Sequence, residues 1–335
     1  MMEFKYNFNR IKVLVTSACN SNCTHCFRFS DKNIYILPDE KLIEIVNFGI
    51  DNGCNNFSFS GGEFFTHPFA YKLIEYCILK KVNISILTNA LEIDKLFFKN
   101  VFEKELISFQ VSIDGMEQQH DLRRGLGSYN KTIENVKFLY NNGYQITAKM
   151  VIDEKNYVDL IDVIKLPWFD KVLVLPVADF SGKINHKNKT DSFIEYEKVI
   201  TYMYRKMATD YNNQYLCNGF PNELAIKYNG DVFPCTEARE HNEYSMGNIL
   251  KKSIACVIDE YSNKNNNKLN CSQIKVKKCQ LCNFKNICQQ GCRLRAKHFF
   301  ESFNAPDPFN CRVFNNEYID IPIGKLFWGE KNSKN

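Results

Sequence analysis

Three cysteines near the N-terminus have the spacing of a metal-binding loop. Cys19, Cys23 and Cys26 follow the pattern C-x3-C-x2-C and come directly after the apolar run at residues 11–16. A closed structural zinc site takes four ligands, and a cubane iron–sulfur cluster is normally held by four thiolates. Three thiolates therefore predict a site with one position open to a small molecule, unless a histidine closes it around zinc. The candidates for that alternative are His25 and His67.

A second group of cysteines lies in the last third of the chain. Nine of the fourteen cysteines occur from Cys217 onward, and seven of these form a spaced series: Cys217, Cys235, Cys279, Cys282, Cys288, Cys292 and Cys311. Because the chain shows no export signal, so many cysteines indicate metal ligands rather than a disulfide framework. A zinc ribbon would explain the four from Cys279 to Cys292, but not all seven.

Polar and glycine residues follow three of the predicted strands. Gly61-Gly62-Glu63 follows the second strand, and Asn89, Ser112 and Asp114 lie at the ends of the next two. Ligands of α/β proteins bind at the carboxyl ends of the strands. Glycines allow close backbone approach, and a carboxylate accepts hydrogen bonds from an ammonium group. These positions therefore predict a ligand site beside the first three cysteines.

Composition and charge exclude several classes of protein. The chain has 335 residues, 44% of them hydrophobic and 24% charged, which is typical of a globular protein. A net charge of +5 is too small and too scattered to predict a nucleic-acid partner. No signal peptide or membrane span is visible, so we expect no membrane partner and a cytoplasmic location. Oxygen-sensitive clusters would imply a reducing, anaerobic cytoplasm.

The first two hundred residues alternate strand and helix patterns. Six strands separated by helices predict an α/β fold with a parallel sheet, namely a partial (β/α)6 barrel. The predicted strands are 11–16, 56–60, 83–88, 106–113, 145–152 and 171–176, and the predicted helices are 38–52, 69–80, 93–103, 131–142 and 156–165. After a long helix at 193–211, the pattern changes to a hairpin around Asn229-Gly230 and a small cysteine-rich region. We expect domains at 1–211 and 212–325, with a tail at 326–335.

The N-terminal motifs resemble those of the radical SAM superfamily. The matching segments are Cys19 to Cys26, Gly61-Gly62-Glu63 one βα unit later, and the strand ends at residues 88–89 and 111–115. The resemblance implies that the three cysteines hold a 4Fe–4S cluster whose open iron binds S-adenosylmethionine (SAM). It also implies a set of SAM contacts, which are His25, Gly61, Gly62, Glu63, Asn89, Ser112, Asp114 and Arg124.

The seven C-terminal cysteines resemble the SPASM extension of radical SAM enzymes. That extension usually carries two auxiliary 4Fe–4S clusters, so the resemblance implies three clusters in total. By resemblance, the distal cluster is held by Cys279, Cys282, Cys288 and Cys311, and the proximal one by Cys217, Cys235 and Cys292. The fourth proximal ligand stays open between Cys256, Cys271 and an unliganded iron.

The resemblance implies an enzyme that cleaves SAM reductively and uses the 5′-deoxyadenosyl radical to oxidise a substrate. SPASM enzymes commonly modify ribosomally made peptides or proteins, with a flavodoxin or ferredoxin as reductant. One alternative keeps this chemistry and changes the substrate to a small molecule such as a sugar or aminoglycoside. A further alternative is a non-catalytic zinc-binding adaptor. Whether SAM is consumed or regenerated stays open.

Two departures from related maturases bear on the substrate. Sulfatase maturases carry an aspartate base directly after the cysteine equivalent to Cys235, whereas this chain has Thr236 and then Glu237. This difference argues against formylglycine formation, and Glu237 is a candidate substitute base. About ten residues precede the first strand, too few for a leader-binding domain. Leader recognition would then use a separate partner protein or another surface.

Overall fold

The computed structural model describes residues 5–26, 33–177, 191–210, 219–264 and 274–318, together with residues 321, 323 and 326. Within them, nine strands form one sheet in the order β6-β5-β4-β3-β2-β1-β7-β8-β9. The strands are β1 Arg10–Leu14, β2 Asn56–Ser60, β3 Asn83–Thr88, β4 Ile107–Ser112, β5 Gln145–Ile152, β6 Lys171–Pro176, β7 Glu223–Ile226, β8 Asp231–Phe233 and β9 Gly247–Asn248.

Helices connect most of these strands. Strands β1 to β5 pair in parallel, and β7 pairs in parallel with β1, whereas β8 and β9 add antiparallel strands to β7. The helices are α1 Asp39–Asp51, α2 Ala70–Leu79, α3 Lys95–Asn100, α4 Glu117–Arg124, α5 Ser128–Asn141, α6 Leu160–Ile164, α7 Asp191–Asp210, α8 Ile254–Lys264, α9 Lys277–Gln280, α10 Lys285–Cys288, α11 Arg293–Phe300 and α12 Pro308–Asn315.

The two faces of the parallel sheet differ in chemistry. Alternate residues of each strand point to opposite faces. One face carries large apolar side chains such as Val13, Phe57 and Phe109, which pack with apolar residues of α1, α2 and α5 in the main core. We call the opposite face, which includes Lys12 and Ser58, the inner face. Burial of the apolar face against the helices is the main stabilisation of this region.

The predicted α/β fold is confirmed, with four strands (β2, β3, β5 and β6) at their predicted bounds. The hairpin is also present, since β7 and β8 flank Asn229-Gly230 and Gly230 has a φ of +84°. The helix predicted at 93–103 is shorter than expected because Asp94 caps α3 and Val101 is extended. Helix α4 was not predicted, and α5 begins three residues earlier than expected.

The chain folds into two compact units that alternate along the sequence. The first contains Met1–Met150, Asp159–Leu173 and Gly219–Leu269, and the second contains Val151–Val158, Val174–Asn218 and Asn270–Asn335. The domain boundary expected at residues 211–212 stays a prediction. Among the described residues, no helix has the length and apolar character needed to cross a membrane.

Candidate active site

The loop with the first three cysteines follows β1 at the carboxyl edge of the sheet. Cys19 is exposed, whereas Cys23 and Cys26 are half-buried. The backbone N–H of Cys26 donates to the carbonyl of Cys23 at 3.1 Å, which closes a tight turn around His25. The loop is therefore ordered by local hydrogen bonds and lies where ligands of α/β proteins bind.

Gly61 and Gly62 fix the start of this loop. The N–H of Gly62 donates to the carbonyl of Thr16 at 2.7 Å, and the N–H of Glu63 donates to that of Ala18 at 2.8 Å. A Cβ on Gly62 would lie 1.8 Å from the Ala18 oxygen, and one on Gly61 would lie 2.6 Å from the Thr16 oxygen. The backbone that these glycines approach is the segment leading into Cys19, so only glycine permits this contact.

The carboxylate of Glu63 joins the ends of β2 and β3. It accepts hydrogen bonds from the Thr88 hydroxyl and from the N–H of Asn89, both at 2.7 Å, and its side chain is buried. The amide of Asn89 in turn donates to Asn20 of the cysteine loop at 2.8 Å. Glu63 and Asn89, both predicted SAM contacts, thus belong to one network that supports the loop.

Asp114 is a second centre of charge at this edge. The carboxylate is fully buried, and its Oδ2 lies 2.6 Å from Arg124 Nε and 3.2 Å from His25 Nε2. Arg124 Nη1 also lies 3.7 Å from the sulfur of Cys23. Burial opposes the charge of Arg124, but Asp114 and Cys23 outweigh it and raise the pKa of the guanidinium. The structure therefore brings together three predicted SAM contacts and one predicted cluster ligand.

Ser112 lies at the end of β4, in register with Lys149 of β5. It is half-buried and is on the inner face, two residues before Asp114. Its hydroxyl is at the same strand edge as the Glu63 and Asp114 networks. A hydroxyl at this position suits a ribose or carboxylate oxygen.

The first cysteine loop fits an iron–sulfur cluster by the type of its donors. Three thiols come from one loop that hydrogen bonds hold in place on both sides, and an arginine lies beside one of the sulfurs. Soft thiolate ligands favour iron–sulfur clusters. In the part of the chain that the structure describes, no three Cys, His, Asp or Glu side chains converge as closely as a bound metal ion requires.

Four C-terminal cysteines, those predicted for the distal cluster, interact electrostatically. Burial raises the pKa of three of these thiols: the pKa of Cys279 increases, that of Cys288 rises to about 11 and that of Cys311 rises to about 12. Neighbouring cysteines add to each of the three increases. Cys282 contributes to the first two increases. A cation would offset this cost of ionising adjacent buried thiols, because metal ligation requires thiolates. The four residues therefore fit a cluster by their donor type and by their electrostatic influence on one another.

A buried ion pair organises the region around these cysteines. Asp307 binds Arg295 through both carboxylate oxygens, at 2.9 and 2.7 Å, and accepts the N–H of Cys292 at 2.7 Å. Three residues after Asp307, the amide of Asn310 donates to the sulfur of Cys288 at 3.5 Å. Sequence reasoning did not predict these supporting residues, because an Arg and an Asp twelve positions apart have no distinctive pattern.

The residues predicted for the proximal cluster and for the base do not form one group among the described residues. Cys235 is half-buried after β8, and the neighbouring Thr236 donates from its hydroxyl to Glu223 at 3.0 Å. Glu237 is exposed, and Cys256 is exposed on α8. Cys217 and Cys271 fall outside the residues that the structure describes. The predicted proximal ligand set therefore stays a prediction.

Lys149 was missed at the sequence level. It is on the inner face of β5, where burial lowers the pKa of its ammonium to about 8, and the cations Arg239 and Lys12 contribute further. The sequence carries no clear signal for it, because Lys149 falls in the half-exposed phase of β5, where a polar residue is expected, and the alternate residues are the buried ones.

Two family models match the chain. The model of the radical SAM superfamily matches residues 13–166, and that of SPASM, described as an iron–sulfur cluster-binding domain, matches residues 217–283. The chain belongs to the radical SAM superfamily and carries a C-terminal SPASM domain. It is therefore an enzyme of a family that uses SAM and iron–sulfur clusters, as predicted, and the zinc-binding adaptor is excluded. The number of clusters stays a prediction.

Curated relatives include maturation enzymes. The antilisterial bacteriocin subtilosin biosynthesis protein AlbA of Bacillus subtilis is 26% identical over 275 residues, which cover 73% of this chain. The chain spans only 58% of the length of AlbA. The cysteine-type anaerobic sulfatase-maturating enzyme of Clostridium novyi is 25% identical over 94% of this chain and 95% of its own length.

Solved structures share the fold. Streptococcus suis SuiB bound to S-adenosylmethionine matches with a TM-score of 0.69 and 18% identity, over 90% of this chain and 76% of SuiB. Native anSMEcpe with bound AdoMet also gives a TM-score of 0.69, with 19% identity, over 95% of this chain and 98% of that one. These similarities confirm the predicted α/β fold, and the two family models assign its radical SAM and SPASM parts.

Proposed function

We propose that this enzyme cleaves SAM reductively and oxidatively modifies a ribosomally made peptide or protein. The observation that carries this proposal is the pair of cysteine groups: the anchored loop with Cys19, Cys23 and Cys26, and the four interacting C-terminal thiols. The first group leaves a coordination position for SAM. The second fits an auxiliary cluster, which suits reactions that remove electrons from the substrate.

The residues of the chain orient and isolate the reactants. Cys19, Cys23 and Cys26 would hold the SAM-binding cluster, and Arg124 and Ser112 would bind carboxylate or ribose oxygens of SAM. Asp114 holds the Arg124 side chain in place at 2.6 Å, and Glu63 keeps the ends of β2 and β3 together. When bound, SAM and the clusters supply the 5′-deoxyadenosyl radical and an electron acceptor for the oxidised substrate.

Relatives support a peptide or protein substrate. AlbA takes part in the biosynthesis of a bacteriocin, and the sporulation killing factor maturation protein SkfB of Bacillus subtilis is 26% identical over 45% of this chain. The sulfatase-maturating relative covers almost the whole chain. Since Thr236 stands where sulfatase maturases carry their aspartate base, we favour a peptide-modifying reaction other than formylglycine formation. Glu237 is our candidate for the proton acceptor.

The proposal also covers the protein partners, the cellular setting, the clusters and the domain boundaries. We propose a flavodoxin or ferredoxin as the reductant, a separate leader-binding protein and a cytoplasmic, anaerobic setting. We also propose three 4Fe–4S clusters, with the proximal one held by Cys217, Cys235 and Cys292. The radical SAM domain would comprise residues 1–211 and the SPASM domain residues 212–325.

Anaerobic reconstitution with the products of neighbouring genes tests the function. About twelve irons per chain are expected for three cubane clusters, together with production of 5′-deoxyadenosine and loss of hydrogen pairs from a peptide. A small sugar or aminoglycoside that changes mass, while every peptide remains unchanged, would favour the alternative substrate class. Reconstituted protein that binds iron but never cleaves SAM would contradict the proposal.

A further inference from the structure

Arg293 is a fully buried arginine at the start of α11, directly after Cys292. Its exposed fraction is 1%. The guanidinium donates through Nη1 to the carbonyls of Phe303 and Ala305, at 3.1 and 2.6 Å, and through Nη2 to the carbonyl of Gln290. It thus joins two segments of the backbone: the loop that precedes Cys292 and the stretch that leads into α12.

Hydrogen bonds connect both of these segments to predicted ligands of the distal cluster. In the first segment, the N–H of Gly291 donates to the carbonyl of Cys288 at 3.0 Å. In the second, the carbonyl of Asp307 accepts the N–H of Cys311 at 2.9 Å. Arg293 therefore holds together the stretches of backbone that carry two of the predicted distal ligands.

Gln290 extends this connection to a third predicted ligand. Its side chain accepts the N–H of Val276 at 2.6 Å, and the carbonyl of Val276 accepts the N–H of Cys279 at 3.0 Å. The electrostatics are consistent with this geometry: burial raises the pKa of Cys279, and the charge of Arg293 opposes that increase more than any other charge does. Hydrogen bonds thus link Arg293 to the backbone around three of the four predicted distal ligands.

The two buried arginines of α11 differ in their charge partners. Arg295 is paired with both carboxylate oxygens of Asp307. The described part of the chain places no carboxylate within ion-pair distance of Arg293, whose acceptors are three neutral carbonyls. Its Nε is buried and has no hydrogen-bond partner among the described residues. Because buried charges are normally paired, the Arg293 guanidinium lacks an anion.

We propose that Arg293 is the counter-charge of the distal cluster and raises its reduction potential. A cubane cluster held by four thiolates is an anion, and its potential depends on the charge around it and on burial. Reduction adds one electron and breaks no bond, so it increases the negative charge by one unit, which a fixed cation stabilises. This inference rests on the ligand set of the proposed function. Arg293 would be a positioning residue that acts through the cluster and not on the substrate.

A redox titration monitored by electron paramagnetic resonance tests the proposal. The protein is the full chain with Cys19, Cys23 and Cys26 replaced by alanine, reconstituted anaerobically, so that only auxiliary clusters contribute signals. Cys288→Ala in this background identifies the signal of the distal cluster. Titanium(III) citrate is the reductant, and the variants are Arg293→Gln, which removes the charge, and Arg293→Lys, which keeps the charge but donates fewer hydrogen bonds.

The charge of Arg293 should have a measurable effect on the titration. At an effective dielectric constant of about 20, one elementary charge changes an equilibrium constant about tenfold even at about 12 Å. Arg293→Gln should therefore decrease the equilibrium constant for one-electron reduction of the distal cluster about tenfold, a shift of about −59 mV. Arg293→Lys should remain close to the parent. The control is Lys278→Gln, which removes a charge that is next to Cys279 but 57% exposed, and should cause little change.

The outcomes separate a role of the charge from a role of the hydrogen bonds. A decrease in Arg293→Gln alone supports the proposal, as does loss of about four irons per chain in Arg293→Gln but not in Arg293→Lys. Loss of the cluster in both variants assigns the role to the hydrogen bonds and overturns the proposal. Equal potentials in all variants, or a shift confined to another cluster, also overturn it.

The titration is independent of the enzymatic reaction. It uses neither SAM nor a peptide, so a wild-type enzyme that modifies no peptide fails the proposed function separately from this test. If Cys288→Ala removes no signal, the distal ligand set is wrong and the role of Arg293 is overturned with it.

Discussion

Arg295 and Asp307 form a two-point ion pair that is almost completely buried, with side-chain exposures of 9% and 0%. The same carboxylate accepts the N–H of Cys292 and caps α12 by accepting the N–H of Phe309. One side chain thus fixes both the start of α11 and the start of α12, which carries Cys311. The positions of two predicted cluster ligands depend on this single aspartate.

Replacement of Asp307 by asparagine should destabilise the protein strongly. The variant keeps the size of the side chain but leaves the charge of buried Arg295 unpaired, at a cost of about 3–5 kcal/mol in the free energy of unfolding. Urea denaturation under anaerobic conditions measures the change. Glu317→Gln is the control, since its partner Lys278 is 57% exposed and such pairs contribute about 0–1 kcal/mol. Equal stability of the two variants would contradict this account of Asp307.

Cys23→Ala should abolish reductive cleavage of SAM. Removal of one of three thiolates leaves too few ligands for a stable cluster. The measurement is 5′-deoxyadenosine formation after anaerobic reconstitution with dithionite. Cys54→Ala is the matched control, because Cys54 is a buried thiol outside every predicted ligand set and should retain SAM cleavage. Wild-type rates in Cys23→Ala would make the N-terminal assignment wrong.

Cys288→Ala should separate SAM cleavage from product formation. Cys288 is predicted to hold the distal cluster, whereas SAM cleavage uses the N-terminal loop. The variant should lose about four irons per chain and retain some 5′-deoxyadenosine production, but yield no modified peptide. A full yield of product would show that the distal cluster is dispensable.

Gly62→Ala should reduce iron content and SAM affinity, whereas the same substitution at a glycine away from the cluster loop should not. The new Cβ would lie 1.8 Å from the Ala18 oxygen, so the backbone leading to Cys19 must move. Gly143→Ala is the control: its Cβ meets open space, and its φ of +83° costs only about 1 kcal/mol. Iron content and SAM affinity measured side by side should fall only in Gly62→Ala. Equal losses would indicate a general folding defect instead.

His120 should make the stability of the protein depend on pH between about 6.5 and 4. Burial, and then the charge of Arg124, lower the pKa of this histidine from 6.5 to about 4. In that interval the unfolded chain binds the proton more tightly, so stability falls as the pH decreases, by about 3 kcal/mol at most. Denaturation midpoints of His120→Gln should depend less on pH than those of the wild type. His298→Gln, the control, should retain the wild-type dependence.

The strands were predictable because their patterns are local. β2, β3, β5 and β6 are short runs that alternate apolar and polar residues or carry β-branched side chains, with turn residues at their ends. Helix α4 was missed because it has no apolar stripe: its single aliphatic residue, Leu122, is 67% exposed. The helix nevertheless carries two residues with structural roles. Asp121 accepts three hydrogen bonds from the start of α5, and Arg124 forms the ion pair with Asp114.

The cysteine loop was predictable, but its support was not. Motif spacing indicated Cys19, Cys23, Cys26 and Glu63, because ligand sets recur at fixed spacings. The contacts of Glu63 with Asn89 and of Asp114 with His25 join residues that are distant in sequence. Such pairs depend on which strands become neighbours in the sheet, and that information is tertiary.

Three serines in register on β2, β3 and β4, namely Ser58, Ser85 and Ser108, lie on the inner face and bear on how this enzyme could acquire new selectivity. Hydroxymethyl groups occupy little volume and accept many hydrogen-bonding geometries, so this wall imposes few steric demands on a guest molecule. Exchange of Ser85 or Ser108 for a bulkier residue would reshape the interior while leaving the cysteine loop and its glycines untouched. Under the proposed function, such exchanges should change the selectivity for substrate without loss of SAM cleavage, because they leave the cluster loop unchanged.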